Sequence, residues 1–178
     1  MNTREWSTVT DTAAQTETTD RFKNAFRLHP AGVALVSGVA PDGPVGLTLS
    51  SVASVSAEPP VLSFSVTRAT GSAGGILSAP SFVVHFLTSG QREVAEAFAR
   101  TGAPRFTDAQ GWETLPTGEP YLPSAAVALR CVAREVHPVG PSNLILADVL
   151  EVLPGADGAA PLLYQDRRFL SWDSVVEL

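Results

Sequence analysis

Residues 46–60 read GLTLSSVASVSAEPP and place five hydroxyl side chains ahead of the first charge, Glu58. Successive side chains of an extended strand alternate between faces. One strand over residues 45–56 therefore sets Thr48, Ser50, Ser54 and Ser56 on one side and Leu47, Leu49, Ala53 and Val55 on the other. The apolar side can pack, and the hydroxyl side remains for something else. A solvent-facing strand ordinarily mixes in Lys, Glu or Arg, yet residues 43–57 contain none in a chain that is 17% charged. Small neutral donors suit a flat polar ligand or a phosphate that approaches the backbone. The same pattern also fits a Ser/Thr-rich edge strand with its hydroxyls in water, and the residues alone leave both readings open. A bulge at Ser50-Ser51 would bring Ser51 onto the hydroxyl face as well.

The rest of the chain extends this strand into a mainly β fold. Apolar or alternating runs at residues 32–39, 61–66, 82–87, 126–137, 144–153 and 168–172 read as further strands, and Pro41-Asp42-Gly43 makes a hairpin turn between the first two. Two helices are expected. One is capped by Thr19 or Asp20 and carries Phe22, Ala25 and Phe26 on one face. The other covers residues 91–100, with Thr88 and Gln91 at capping-box spacing. Many antiparallel strands and few helices point to a barrel, because closure removes exposed sheet edges. Residues 101–124 form a long connection carrying Phe106 and Trp112, of a length that suits a functional loop or a subunit contact.

The 178 residues and 44% hydrophobic content fit one domain, residues 19–178, behind a flexible leader of residues 1–18 in which Trp6 is a docking candidate. A net charge of -6 disfavours nucleic acid and anionic membranes as partners. The N-terminal segment lacks the apolar core of a secretion signal, and no run reaches the length of a membrane helix. A cytoplasmic protein is the default expectation. The single cysteine, Cys131, lies in an apolar run and reads as a buried small side chain.

No GxGxxG, GxxxxGK[ST] or GxSxG motif occurs, so a Rossmann turn, a P-loop and a nucleophile elbow lack support. His29, His85 and His137 are far apart, and no metal site or catalytic cluster is expected. The glycine-rich run 71–75 reads either as a flexible turn or as a loop that presents amides to a phosphate, with Thr67, Arg68, Thr70 and Ser72 beside it. His85 interrupts an apolar strand, where a satisfied inward polar residue and a ligand contact are equally compatible with the sequence.

Several blocks in order resemble the flavin reductase-like family, whose split-barrel domain binds FMN or FAD. They are Phe26-Arg27 with Gly32-Val33, the hydroxyl run with Pro59-Pro60, residues 82–87 with Gln91 and residues 95–99, then Phe106, Trp112, Gly118 and Pro120. Leu129 and Cys131, Pro161-Leu162-Leu163-Tyr164, and Arg168-Phe169 complete the series. The resemblance implies a six-stranded antiparallel split β-barrel with Greek-key connections and a few short helices, assembled as a homodimer. It also implies an NAD(P)H:flavin oxidoreductase: NADH or NADPH reduces FMN or FAD, and reduced flavin passes to a flavin-dependent monooxygenase. Little acid-base machinery is needed, because the flavin carries the chemistry.

By the same resemblance Thr48, Ser50 and Ser51 meet the flavin, Ser54 and Ser56 extend that surface, and Ser65, Thr67, Arg68 and Ser72 reach the ribityl chain and phosphate. His85 and Phe86 line the ring pocket, while Arg168 and Phe169 stand near the flavin or the nicotinamide. One departure is plain. Many members carry Gly-Asp-His before the penultimate long strand, where this chain reads Gly140-Pro141-Ser142, which leaves Ser142, Asn143 and His137 as nicotinamide candidates. For the 2′-phosphate of NADPH, Arg134 and Arg167 are the candidate cations. That departure motivates one alternative, a non-enzymatic flavin-binding module; a second keeps catalysis but changes the chemistry, as a split-barrel oxidoreductase whose tightly bound flavin serves another substrate.

Overall fold

The computed structural model describes residues 12–172, and the leader residue Trp6 lies outside them. The order is α1 (Thr12–Leu28), β1 (Ala31–Gly32), β2 (Ala34–Ala40), β3 (Gly43–Leu49), β4 (Ala53–Ala57) and β5 (Pro60–Thr67). Next come α2 (Gly71–Ser78), β6 (Phe82–Phe86), α3 (Arg92–Ala99), and the short pair β7 (Glu113–Thr114) and β8 (Pro120–Tyr121). The long β9 (Val127–Val139) and β10 (Ser142–Pro154) precede a terminal hairpin of β11 (Leu162–Gln165) and β12 (Arg168–Ser171). All the strand pairings are antiparallel.

Seven strands form the main sheet in the order β3-β2-β6-β9-β10-β5-β4, so β3 and β4, consecutive in sequence, are its two opposite edges. A flat sheet of seven strands is about 29 Å wide at ~4.8 Å per strand. Residues 50–52, which join β3 to β4, span at most about 14 Å from Leu49 to Ala53. The sheet therefore curls until its edges approach, although no ladder joins β3 to β4. The expected single strand over residues 45–56 is thus two strands with a break at the hydroxyl run.

Inside the curl, Val36, Phe64, Phe82, Val84, Cys131 and Ile145 belong to one buried cluster, with Phe64 and Phe82 edge to face at 5.5 Å between centroids. A second cluster lies on the other side of β2, where Val33 and Leu35 meet Phe98 of α3, Leu122 and Leu162. Both faces of β2 are buried for this reason. Cys131 sits in the first cluster, and burial pushes its thiol up to about 12, which removes thiolate reactivity at neutral pH.

Three local outcomes differ from the sequence expectations. Helix α1 begins at Thr12, across the expected boundary at Thr18, and Thr18 and Thr19 donate their hydroxyls to Ala14 O and Gln15 O one turn back instead of capping. Residues 71–78 are helical, not a loop: the missing Cβ of Gly75 lets α2 lie on β3, since a Cβ there would stand 2.8 Å from Val45 Cγ1. Residues 101–124 fold back onto their own chain, where Phe106 and Trp112 pack with Phe98 at 4.9 and 5.4 Å. The expected Thr88-Gln91 capping box is present, closing the turn that leads into α3.

Candidate functional site

The break between β3 and β4 forms the centre of the site. Ser50, Ser51 and Val52 belong to no strand, so their amides lie outside the ladder. Ser51 remains tied to the sheet by its side chain: its Oγ accepts from Ser65 N at 3.0 Å and donates to Ser65 O at 3.2 Å. Thr48 donates its hydroxyl to Ala95 O of α3 at 2.8 Å, which fixes the helix against the end of β3. Ser50 is exposed and carries no hydrogen bond to another described residue.

Two clefts meet at this break. One, about 710 Å³, lies between α3 and the β11–β12 hairpin and has Thr48, Leu49 and Ser50 along its floor. The other, about 850 Å³, lies between α1 and residues 50–53 and reaches Ser65 on β5. Ser50, Tyr164 and Arg167 line both. Both volumes fall in the ordinary range for small-molecule sites. The hydroxyl of Ser50, the open amides and the spare lone pairs of Ser51 suit the mixed donor and acceptor edge of a flavin ring, so the residues present fit such a ligand.

Of the other expected site residues, Arg168 and Phe169 line the first cleft, with Phe169 against Tyr164 at 5.2 Å. Phe86 is partly exposed and borders a smaller cavity with Val52 and Gly32. Ser54 is exposed on β4 and Ser56 half-buried, but a bulge between them at Val55 breaks the alternation and turns Val55 outward, against the expectation that it packs.

His85 is a correction to the sequence reading. It is fully buried, its Nδ1 donates to Leu35 O at 3.1 Å and its Nε2 accepts from Leu122 N at 3.1 Å. Burial lowers its pKa to about 4, against a weaker upward pull from the Leu35 carbonyl. Neither ring nitrogen is left for a ligand. Ser72 is likewise engaged, accepting from Arg105 Nη1 at 2.7 Å. The same guanidinium donates to Gly46 O, Ala97 O and Arg100 O, so one side chain pins β3, α2, α3 and the long connection together. Sequence reasoning passed over Arg105 because a lone arginine in a loop carries no motif.

Thr67, Arg68, Ser142, Asn143 and His137 collect at the β9–β10 turn. Thr67 and Ser142 hydroxyls are 3.3 Å apart, Arg68 N donates to Pro141 O at 2.9 Å, and His137 Nε2 lies 2.7 Å from Glu135. None of the five lines either cleft. The residues missed by sequence are Arg92, Arg100 and Tyr164. The i, i+4 spacing of Arg92 and Glu96 on α3, with Arg100 four residues further on at the C-cap, was the signal that groups them.

Residues 26–173 match the family described as Flavin reductase like domain. An NADH:FMN oxidoreductase of Rhodococcus qingshengii is 38% identical over 83% of this chain and 79% of its own length. The crystal structure of a flavin reductase domain protein from Arthrobacter sp. FB24 superposes with a TM-score of 0.81 at 32% identity, covering 90% of this chain and 97% of that one. The flavin reductase component of a bacterial two-component tryptophan halogenase, BorF, gives 0.76 at 25% identity, over 86% of this chain and 97% of its own. A match over most of the chain, joined to that identity, makes this protein a member of the flavin reductase-like family.

Proposed function

We propose that the protein is an NAD(P)H:flavin oxidoreductase that reduces FMN or FAD and releases the reduced flavin to a separate monooxygenase. The observation that carries this reading is the junction where two clefts of ligand size meet at Ser50, Tyr164 and Arg167, with Thr48 lining one and Ser51 the other. Hydride transfer needs the two rings in contact at their reacting atoms, and the junction where the two clefts meet is where this reading places them. A bound flavin supplies the hydride chemistry itself. The chain orients it: Thr48 and Ser51 fix the backbone around the break, Ser50 meets the ligand, and Tyr164 and Phe169 form an aromatic wall. Ser54 extends the hydroxyl surface along β4, whereas the bulge at Val55 puts Ser56 on the other face.

The six-stranded split barrel belongs to the same proposal. Counting β3 and β4 as one bent strand that crosses the split turns the seven-stranded ladder into six. We also infer a homodimer, supported by apolar side chains left exposed on α1 (Phe22, Phe26, Leu28) and on the β9–β10 hairpin (Val136, Val139, Leu144). A cytoplasmic location completes the reading on the sequence grounds given above; no helix among the described residues is long and apolar enough to cross a membrane.

The test crosses NADH and NADPH against FMN and FAD in steady-state assays of the purified protein. Nucleotide oxidation is expected only when flavin is added. If no combination shows a flavin-dependent rate, the proposal fails, and flavin binding without oxidation would establish the non-enzymatic alternative. Flavin that stays bound through gel filtration would instead identify the reductase with a resident flavin.

A further inference from the structure

The cleft between α3 and the β11–β12 hairpin concentrates charge of one sign. Arg92, Arg100, Arg167 and Arg168 line it against a single carboxylate, Glu96. Four of the twelve basic side chains of a chain with net charge -6 therefore surround one cavity. Glu96 pairs with Arg92 on α3 and with Arg100 at the C-cap of that helix, at 2.8 Å from Arg92 Nε and 3.6 Å from Arg100 Nη2. On the opposite wall, neither Arg167 nor Arg168 has an ion-pair partner among the described residues. Like charges facing one another across a cavity repel, and an anion between them reverses the sign of that interaction.

The unpaired arginines are presented by the two-residue hairpin turn between β11 and β12, which carries no glycine. Asp166 and Arg167 have φ of 45° and 63°, a conformation that costs non-glycine residues free energy and recurs at functional sites. Asp166 is held there from outside the cleft, by Arg27 Nη2 at 3.0 Å and by its own amide donating to Arg27 O at 2.8 Å. Arg167 is thereby aimed at the point where the two clefts meet.

We propose that this cleft is a phosphate site: Arg92, Arg100, Arg167 and Arg168 bind the phosphate-bearing tail of a nucleotide whose ring lies at the Ser50 junction. This rests on the flavin reductase reading and extends it, because it moves recognition of the nucleotide tail to α3 and the terminal hairpin and away from the β9–β10 turn. Guanidinium groups suit phosphate because their planar donors pair with its oxygens two at a time. The tail belongs either to the dinucleotide donor or to the flavin phosphate, and the two are separable by experiment.

The variant is Arg92→Gln/Arg167→Gln, with Arg21→Gln on the far part of α1 as control. If the tail is the donor's, KM for NADH or NADPH rises about tenfold or more, as expected for losing charged hydrogen bonds. In that case kcat stays within about twofold, KM for reduced nicotinamide mononucleotide, which lacks the tail, is unchanged, and so are the flavin constants. If the tail is the flavin's, the dissociation constant of FMN rises and that of riboflavin does not. Either result supports the site; unchanged values for every ligand overturn it. Calorimetric titration with ADP-ribose and with inorganic pyrophosphate adds a readout independent of turnover. Arginine-dependent binding in a protein without reductase activity would keep the cleft and sink the functional reading, whereas normal turnover with indifferent variants would do the opposite.

Discussion

Ser51 Oγ takes the place of a backbone pair with Ser65. β4 runs against β5 with Ala53 opposite Ser63, and the next position of that register would set residue 51 opposite residue 65. The backbone has left the ladder there, yet Ser65 N–H and C=O are both satisfied, at 3.0 and 3.2 Å, by the Ser51 side chain. The sheet is held at its split by one hydroxyl while the neighbouring amides stay open.

Ser51→Ala removes that bridge and leaves both Ser65 groups to solvent. We expect a loss of about 1 kcal/mol in denaturant unfolding, together with weaker flavin binding measured by fluorescence quenching. A variant with unchanged flavin affinity would show that the bridge shapes the sheet and not the ligand surface.

His85 makes stability depend on pH in a specific window. The unfolded chain takes up the proton near the ordinary value of 6.5, while the buried ring resists it down to about 4. The unfolded state therefore binds more protons between these values, and stability falls as pH drops through the window. The loss attributable to this residue is roughly 3 kcal/mol from pH 7 to 4. His85→Gln should be less stable by about 1–3 kcal/mol at pH 7, with the gap to wild type narrowing as pH falls from 6.5 to 4. A constant gap in urea melts across that range would contradict the assignment.

Glu119 is a buried residue of the long connection, where it accepts from Ser81, Thr117 and Arg130 Nε, the last at 2.8 Å. Burial alone would raise its pKa, but the Ser81 and Thr117 hydroxyls, its own backbone N–H and Arg130 together outweigh it and hold the carboxyl below its usual value. Glu119→Ala strands a largely buried Arg130 and should cost about 3 kcal/mol or more. Glu119→Ala/Arg130→Met should recover part of that loss in thermal or denaturant melts. No recovery would mean that the hydroxyl contacts, not the ion pair, carry the stability.

Gly75→Ala tests the seat of α2. The new methyl would stand 2.8 Å from Val45 Cγ1, so α2 or β3 has to shift. We expect destabilisation of about 1–3 kcal/mol, in spite of the higher helix propensity of alanine, and recovery when Val45→Ala is added. A more stable single variant would show that the contact relaxes freely.

Local chemistry made much of this fold readable. Alternation gave β2, β5, β6, β9 and β10 to within a few residues, and the Thr88-Gln91 spacing marked the start of α3, because each of these signals depends on neighbours within one turn or strand. The hydroxyl run 46–60 stood out by its lack of charge ahead of Glu58, a pattern that fits a ligand surface and a solvated edge strand alike. What the sequence could not contain was the place where that run divides. Ser50-Ser51 reads as no more than a bulge within one strand; these residues and Val52 leave the ladder because the sheet curls and its two edges must be joined across a short gap. His85 shows the same limit from the other side: its neighbours permit a ligand contact, and only the amide of Leu122, 37 residues away, consumes the nitrogen a ligand would need. Arg92, Arg100, Arg167 and Arg168 stand about seventy residues apart in two unremarkable groups, and their shared cleft exists only once α3 and the terminal hairpin close over β3. Residue type thus determined which stretches have the hydrogen-bonding capacity and missing charge of a candidate surface, whereas long-range chain closure decided which of those residues meet.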